Sequence, residues 1–275
     1  MSSRLDELPL ICPHDGRRLH RSEGALRCPA GHAFDIARQG YVNLLPVAHK
    51  ASRHPGDSAQ MVQARARIMD SGLFEPVADA LGALVTTGSG LIADSGCGDG
   101  WFTQGVVSAA AGRPVVALDV SKDAIRATAR RQTNAVCLVA SGRALPVSQG
   151  QIDTLLCVFG FPFWHHWAEW QSPGQKVITV DPGPDHLLEL REAIYPDVRR
   201  HPAPEHEQAL SNGYRLAHTE VVEDNTGQVR AWIDLLDMTP HGRRCTSVAR
   251  EQLAQREPGV VRIDVVLRVY EREVS

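Results

Sequence analysis

Between residues 93 and 101 the chain reads Ala93-Asp94-Ser95-Gly96-Cys97-Gly98-Asp99-Gly100-Trp101. Three glycines at alternate positions allow a tight turn and let a ligand approach backbone that carries no Cβ. An apolar run, Leu91 to Ser95, leads into the turn and a helical pattern follows it, the setting such a loop needs to bind a nucleoside. A nicotinamide-binding loop would space its glycines as GxGxxG, with no acid just before the first. Here Asp94 stands two residues before Gly96, where a carboxylate repels a pyrophosphate but receives an ammonium group or a water. That acid favours S-adenosylmethionine, which has an amino-acid tail and no phosphate. The next apolar run ends in Leu118-Asp119, and a carboxylate there can accept hydrogen bonds from both ribose hydroxyls of either kind of nucleoside. A third run ends at Ala140-Ser141, small enough to edge an adenine. The candidate cofactor residues are therefore Asp94, Gly96, Gly98, Gly100, Asp119, Ala140 and Ser141. A plain linker turn would account for the glycines but not for the two acids at strand ends.

A second constellation lies near the start: Cys12-Pro13-His14-Asp15 and Cys28-Pro29-Ala30-Gly31-His32. Thiolate and imidazole ligands paired three or four residues apart can meet at one tetrahedral Zn2+. The candidate ligands are Cys12, Asp15, Cys28 and His32. Asp15 occupies the place of an expected second thiolate; a carboxylate can ligate zinc, and His14 or His20 could compensate. A metal-free knuckle is the alternative. Cys137 and Cys157 sit inside apolar runs and read as buried thiols. This usage fits a reducing compartment, hence a cytoplasmic location.

These residues need elements to hold them. With 275 residues, 43% of them hydrophobic, the chain can bury a full core and fits one large α/β domain with a small appendage. Near-continuous apolar runs at Leu91 to Ser95, Val115 to Val120, Ala135 to Ala140, Thr154 to Phe159 and Lys176 to Val180 predict strands buried on both faces of a parallel sheet. Gly213 to Val222 and Val260 to Tyr270 alternate instead, as an antiparallel pair would. Helical patterns begin at Ser58 and span Pro76 to Leu84 and Lys122 to Arg131. The expected fold class is α/β: a doubly wound, mostly parallel, seven-stranded class I methyltransferase sheet with a small N-terminal zinc-ribbon-like module. The expected divisions are residues 1–45 for that RNA-binding module, 46–90 for a connector and the helices leading into the core, and 91–275 for the methyltransferase domain.

Charge is unevenly spread. Nine Lys and Arg face three acids between Arg17 and Arg67, whereas the rest of the chain is net acidic. A basic front on an acidic body points to a polyanionic partner, with an ordinary solvated surface as the alternative. Arg17, Arg18, Arg38 and Arg53, with Arg21, Arg27 and Lys50, are the candidate phosphate contacts. No apolar run reaches the roughly 18 residues of a membrane span. The first ten residues lack a signal-peptide layout, so no membrane association is expected.

Together these stretches resemble the bacterial 23S rRNA (guanine-N1)-methyltransferases, a family that includes a tylosin-resistance branch. The likeness is carried by Cys28-Pro29 with Gly31-His32, by Phe34-Asp35-Ile36-Ala37, and above all by Gly40-Tyr41-Val42-Asn43-Leu44-Leu45. Pro55-Gly56-Asp57-Ser58, Asp94 to Gly100, Leu118 to Lys122, Leu145-Pro146 and Pro182-Gly183-Pro184 with His186-Leu187 extend it. The resemblance implies methyl transfer to N1 of a guanine in a hairpin loop of 23S ribosomal RNA, the front module gripping the RNA. Three departures stand out: Asp15 for a zinc Cys, Ser172-Pro173-Gly174-Gln175 for a Pro-Gly-Gly turn, and an aromatic loop from Phe159 to Trp167.

Methyl transfer from a sulfonium needs positioning and exclusion of water more than activation. Guanine N1 carries a proton at neutral pH, so a base helps. Asp181 and Asp57 are the candidates, and either could instead cap a helix. In the aromatic loop, Trp164, Trp167 and Trp170 are spaced as one face of a helix, which leaves Phe159 and Phe161 as candidate pocket residues. Tyr41 suits a loop base or the core equally. The competing readings are a same-fold methyltransferase redirected to a small molecule and a non-catalytic RNA- or cofactor-binding relative. A homodimer is the candidate assembly.

Overall fold

The computed structural model describes residues 4–46 and 56–274. After a short helix α1 (Arg4–Glu7), strands β1 (His20–Ser22), β2 (Ala25–Arg27) and β3 (Ala33–Asp35) form a three-stranded antiparallel sheet. The chain then gives a two-residue strand, β4 (Val42–Asn43), to the large sheet. Helices α2 (Ala59–Met69) and α3 (Glu75–Val85) follow. The strand–helix alternation runs β5 (Leu91–Ser95), α4 (Trp101–Ala109), β6 (Val115–Asp119), α5 (Lys122–Arg130), β7 (Val136–Val139), β8 (Ile152–Val158), α6 (Trp164–Trp170), β9 (Lys176–Pro182) and α7 (Leu188–Ile194). Then come α8 (Glu207–Ser211), β10 (Tyr214–Asp224), β11 (Gln228–Val229), α9 (Trp232–Asp237), α10 (Ser247–Ala254), β12 (Gly259–Val260) and β13 (Ile263–Arg272).

The large sheet has the order β10-β13-β9-β8-β5-β6-β7-β4. From β4 to β9 neighbours run parallel, and β13 and β10 close it antiparallel. The expected α/β class I sheet is borne out, and all seven expected strands lie in it with ends moved by a few residues. The sheet gains an eighth strand because Val42 and Asn43 pair with Leu138 and Val139. Two residues carry no readable period, so this strand was invisible in the sequence. Val260 leaves the last strand to pair with Gln228 in a separate ribbon.

Helices α3, α4, α7 and α9 cover one face around Phe74, Leu81, Ile178 and Leu235. On the other face Leu10, Leu19 and Leu26 of the front module share a buried cluster with Leu138, Val147, Trp164 and Trp167. Leu10 also bridges to Val147, and the Ile11 N–H donates to the Pro146 carbonyl at 3.1 Å. The front module thus completes its small core by docking on the sheet.

Candidate functional site

The glycine bend lies at the carboxyl ends of β5 and β6, where open α/β sheets bind ligands. Asp94 is buried, and the Thr103 hydroxyl donates to its Oδ2 at 2.5 Å. Its Oδ1 is equally buried and, among the described residues, has no hydrogen-bond partner. Burial, with the charge of Asp119 nearby, pushes the Asp94 carboxyl up to about 6. An orphaned buried carboxylate oxygen beside a glycine bend is an acceptor suited to an ammonium group. Gly96 has φ 84°, and a Cβ built there meets nothing within 4 Å. Gly100 (φ 80°) turns the chain into α4 so tightly that a Cβ would stand 2.5 Å from Thr128 Cγ2.

Asp119 accepts from the Gly98 N–H at 3.1 Å and the Ser121 N–H at 2.7 Å, so the bend and the β6–α5 turn are tied through one carboxylate. Each of its oxygens keeps a further lone pair for a ribose hydroxyl. Burial raises the pKa of this acid as well. Ala140 is buried, with its N–H donating to the Asp119 carbonyl at 3.0 Å, and half-buried Ser141 turns the chain back by accepting from the Arg143 N–H. The cofactor candidates therefore gather at the carboxyl ends of β5, β6 and β7. Helix α2 closes their flank: Asp57 pairs with Arg65 at 2.5 Å, and the Ser121 hydroxyl donates to the Asp57 carbonyl at 2.8 Å. Arg65 reaches to within 3.0 Å of where a Cβ on Gly98 would stand.

The acceptor end follows β8. The Phe159 N–H donates to the Val180 carbonyl at 2.9 Å, and Phe159 adopts φ 51°, a strained conformation for a bulky residue. Its ring stacks on His186 (5.5 Å, 26°) and meets Phe74 and Phe102 edge-on or tilted, yet Phe159 stays 36% exposed. Burial, with the Arg191 charge next, pushes the His186 imidazole down to about 3, so it stays neutral. Phe161 is 87% exposed. Trp164 and Trp167 are core residues, as their helical spacing implied, and Trp170 is half-buried with its indole N–H on the Val147 carbonyl. Asp181 is buried at the end of β9 against His206.

In the front module the four candidate ligands come together. Cys28 Sγ lies 3.3 Å from His32 Nδ1 and 3.4 Å from Asp15 Oδ2. Cys12 Sγ lies 3.5 Å from His32 Nδ1, and all four ligand atoms are within 4.8 Å of one another. Metal–ligand bonds of 2.0–2.3 Å give tetrahedral edges of about 3.3–3.8 Å, so two thiolates, an imidazole and a carboxylate here fit a zinc ion. His14 instead stacks on Phe34, 5.9 Å between centroids.

Residues 10–53 match the zinc-ribbon family model described as RlmA, N-terminal, and residues 92–180 match the model described as Methyltransferase domain. A Micromonospora griseorubida protein named for guanine-N1 methyl transfer to 23S rRNA is 36% identical over 69% of this chain and 71% of its own length. The 23S rRNA (guanine(748)-N(1))-methyltransferase of Streptomyces fradiae is 35% identical over 67% of each chain. The chain belongs to the 23S rRNA (guanine-N1)-methyltransferase family.

In this family member Arg17, Arg18, Arg27 and Arg38 are exposed around the knuckle, and Arg21 lies 4.0 Å from Asp6. Arg53 and Lys50 fall outside the described residues. Tyr41 is a core residue packed with Ile125 and Val139. No site role was assigned in the sequence to Thr103, Arg65, His186 or His206. The helical position of Thr103, one turn after the glycine bend, was the one available signal; the others are brought in by tertiary packing.

Proposed function

We propose that this chain transfers a methyl group from S-adenosylmethionine to N1 of a guanine in a hairpin loop of 23S ribosomal RNA. The observation that carries the reading is the buried, unpartnered Asp94 Oδ1 beside the glycine bend, in a chain whose relatives bear this activity in their names. Asp94 would receive the ammonium of the methyl donor, the backbone at Gly96, Gly98 and Gly100 its methionine moiety, Asp119 its ribose, and Ala140 with Ser141 its adenine. The donor supplies an already activated methyl, leaving this chain to orient the base and exclude water.

Phe159 is the platform for the extruded base, with Phe161 beside it; base–aromatic stacking contributes about 1–3 kcal/mol. Asp57 is held by Arg65 and helps close the donor crevice, which leaves Asp181 as the acid facing the acceptor. Cys12, Asp15, Cys28 and His32 hold zinc and thereby shape residues 1–45 into the RNA grip, joined through residues 46–90 to the methyltransferase domain, 91–275. No described helix is long and apolar enough to cross a membrane, and a ribosomal substrate supports a cytoplasmic location. Homodimerisation is tested by light scattering. The small-molecule alternative, which the aromatic loop from Phe159 to Trp167 favoured, loses ground in so far as Trp164 and Trp167 of that loop are core residues.

Primer extension on ribosomal RNA from cells with and without the gene tests the proposal. N1 methylation blocks base pairing, so a new strong stop is expected at one loop guanine. An unchanged pattern of stops rejects it.

A further inference from the structure

Asp181 and His206 form a buried acid–imidazole pair that donor binding leaves unused. His206 Nε2 lies 2.8 Å from Asp181 Oδ2, with side chains 9% and 6% exposed. His206 has φ 52°, an uncommon backbone conformation for a residue other than glycine. The chain around it is pinned to the sheet. Tyr270 Oη donates to the Glu205 carbonyl at 3.1 Å, and Arg268 Nη1 to the Pro204 carbonyl at 2.8 Å. Trp164 lies against the imidazole at 5.6 Å.

The pair stands beside the transfer site. Val180, the residue before Asp181, holds the Phe159 N–H. The thiol of Cys157 feels the charges of both Asp181 and Asp94. A Cβ on Gly160 would lie 3.0 Å from that thiol and 4.0 Å from the Ser95 carbonyl oxygen. The acid at the end of β9 is thus one strand removed from β5, with the Cys157 thiol of β8 between it and the glycine bend. Among the described residues Asp181 makes its hydrogen bond through Oδ2, and Oδ1 is left to accept another.

We propose that Asp181 recognises the N1–H and amino donors of the acceptor guanine and takes the N1 proton, and that His206 is the positioning residue that aims it. This rests on the RNA reading above. An ionised carboxylate is acceptor-only and matches a guanine edge that presents two adjacent donors, whereas adenine presents a lone pair at N1. In the transfer, the N1 lone pair forms the bond to the methyl carbon and the carbon–sulfur electron pair returns to sulfur. The N1 proton passes to Asp181 Oδ1. Among the described residues, titratable or charged groups near the pair include Cys157 on β8, Tyr270 and Arg268 on β13, and Glu205 on its own segment.

The test measures single-turnover methylation of a hairpin transcript against pH, with S-adenosylmethionine affinity measured on the same proteins. Asp181→Asn should slow transfer about 100-fold or more, the range of a lost general base, and remove the acid limb of the profile. Its donor affinity should stay within about twofold of wild type. His206→Gln keeps an N–H donor without an imidazole and should slow transfer less while changing the pH profile; His206→Ala should fall between the two. Unchanged rates and profiles with an active wild type would overturn the role of the pair alone. So would losses that track donor affinity, which would make it a structural tether. A wild-type enzyme that leaves guanine N1 unmethylated would overturn the RNA reading itself.

Discussion

Thr103 donates its hydroxyl hydrogen to one oxygen of Asp94 at 2.5 Å, and the other is buried and unpaired among the described residues. The cost of that arrangement is visible in the carboxyl, which is pushed up to about 6 by burial. Its folded-state pKa lies above the ordinary value of 3.8, so its contribution to stability is fully present below 3.8 and is lost as pH rises through about 6. At neutral pH the free protein therefore carries an uncompensated buried charge that a bound ammonium would offset.

Donor binding should in consequence weaken as pH falls through about 6, because protonation removes the partner of the ammonium. Calorimetric titration in buffers of different ionisation enthalpy should show protons released on binding near that pH. Asp94→Asn should bind the donor at least about tenfold more weakly, yet unfold at a higher temperature than wild type at pH 8. The opposed signs separate a ligand-binding acid from a structural one. A variant less stable than wild type, with unchanged affinity, would count against this role.

The two flanking glycines should fail in different ways. At Gly100 a Cβ meets Thr128 Cγ2 at 2.5 Å and the backbone sits at φ 80°, so Gly100→Ala should cost about 2–5 kcal/mol of stability from overlap and strain together. At Gly96 the space is open, so Gly96→Ala should cost only about 1–2 kcal/mol of backbone strain while filling the cradle. Denaturant melts and donor titrations should show the first variant losing mainly stability and the second mainly affinity. Equal losses in both would remove Gly96 from the cradle.

Much of this was legible because it is local. Asp94 and Gly96 are two residues apart, and a buried parallel strand followed by a glycine bend shows in a single window of sequence. The helical spacing of Trp164 and Trp167 likewise placed them in the core. What was illegible depends on folding. His206 is 25 residues from Asp181 and comes to it only when the chain before β10 lies back on β9 and β13. Asp57 read as a base or a cap, and its pairing with Arg65 forms only once α2 is in place. Phe159 read as the end of a strand, but its φ of 51° turns it out of the ladder and onto His186.

Asp15 would give the knuckle a weaker ligand than a third thiolate. Purified protein should carry about one zinc per chain by atomic emission, and Cys28→Ala should carry almost none. Asp15→Cys should hold its zinc markedly longer against a chelator, since the thiolate replaces an oxygen 3.3–3.4 Å from two of the other ligand atoms. Zinc content in Cys28→Ala equal to wild type would place any metal elsewhere.

Metal and RNA affinity should be coupled through Arg17. Its N–H donates to Asp15 Oδ1 at 3.0 Å, and its carbonyl accepts from the Cys12 N–H at 2.8 Å. One exposed candidate phosphate contact is thus fastened to two of the four candidate ligands. Removing zinc should loosen that turn and weaken hairpin binding while leaving the distant donor crevice unchanged. Each phosphate contact made to single-stranded RNA contributes about −0.7 to the slope of log affinity against log salt. Replacing Arg17, Arg18 and Arg38 together by Ala should therefore make the slope shallower by about 2. A filter-binding series from low to physiological salt measures it, with the chelated wild type alongside. If the triple variant keeps the wild-type slope, the basic front is ordinary solvated surface, and the RNA must be held by groups elsewhere on the molecule.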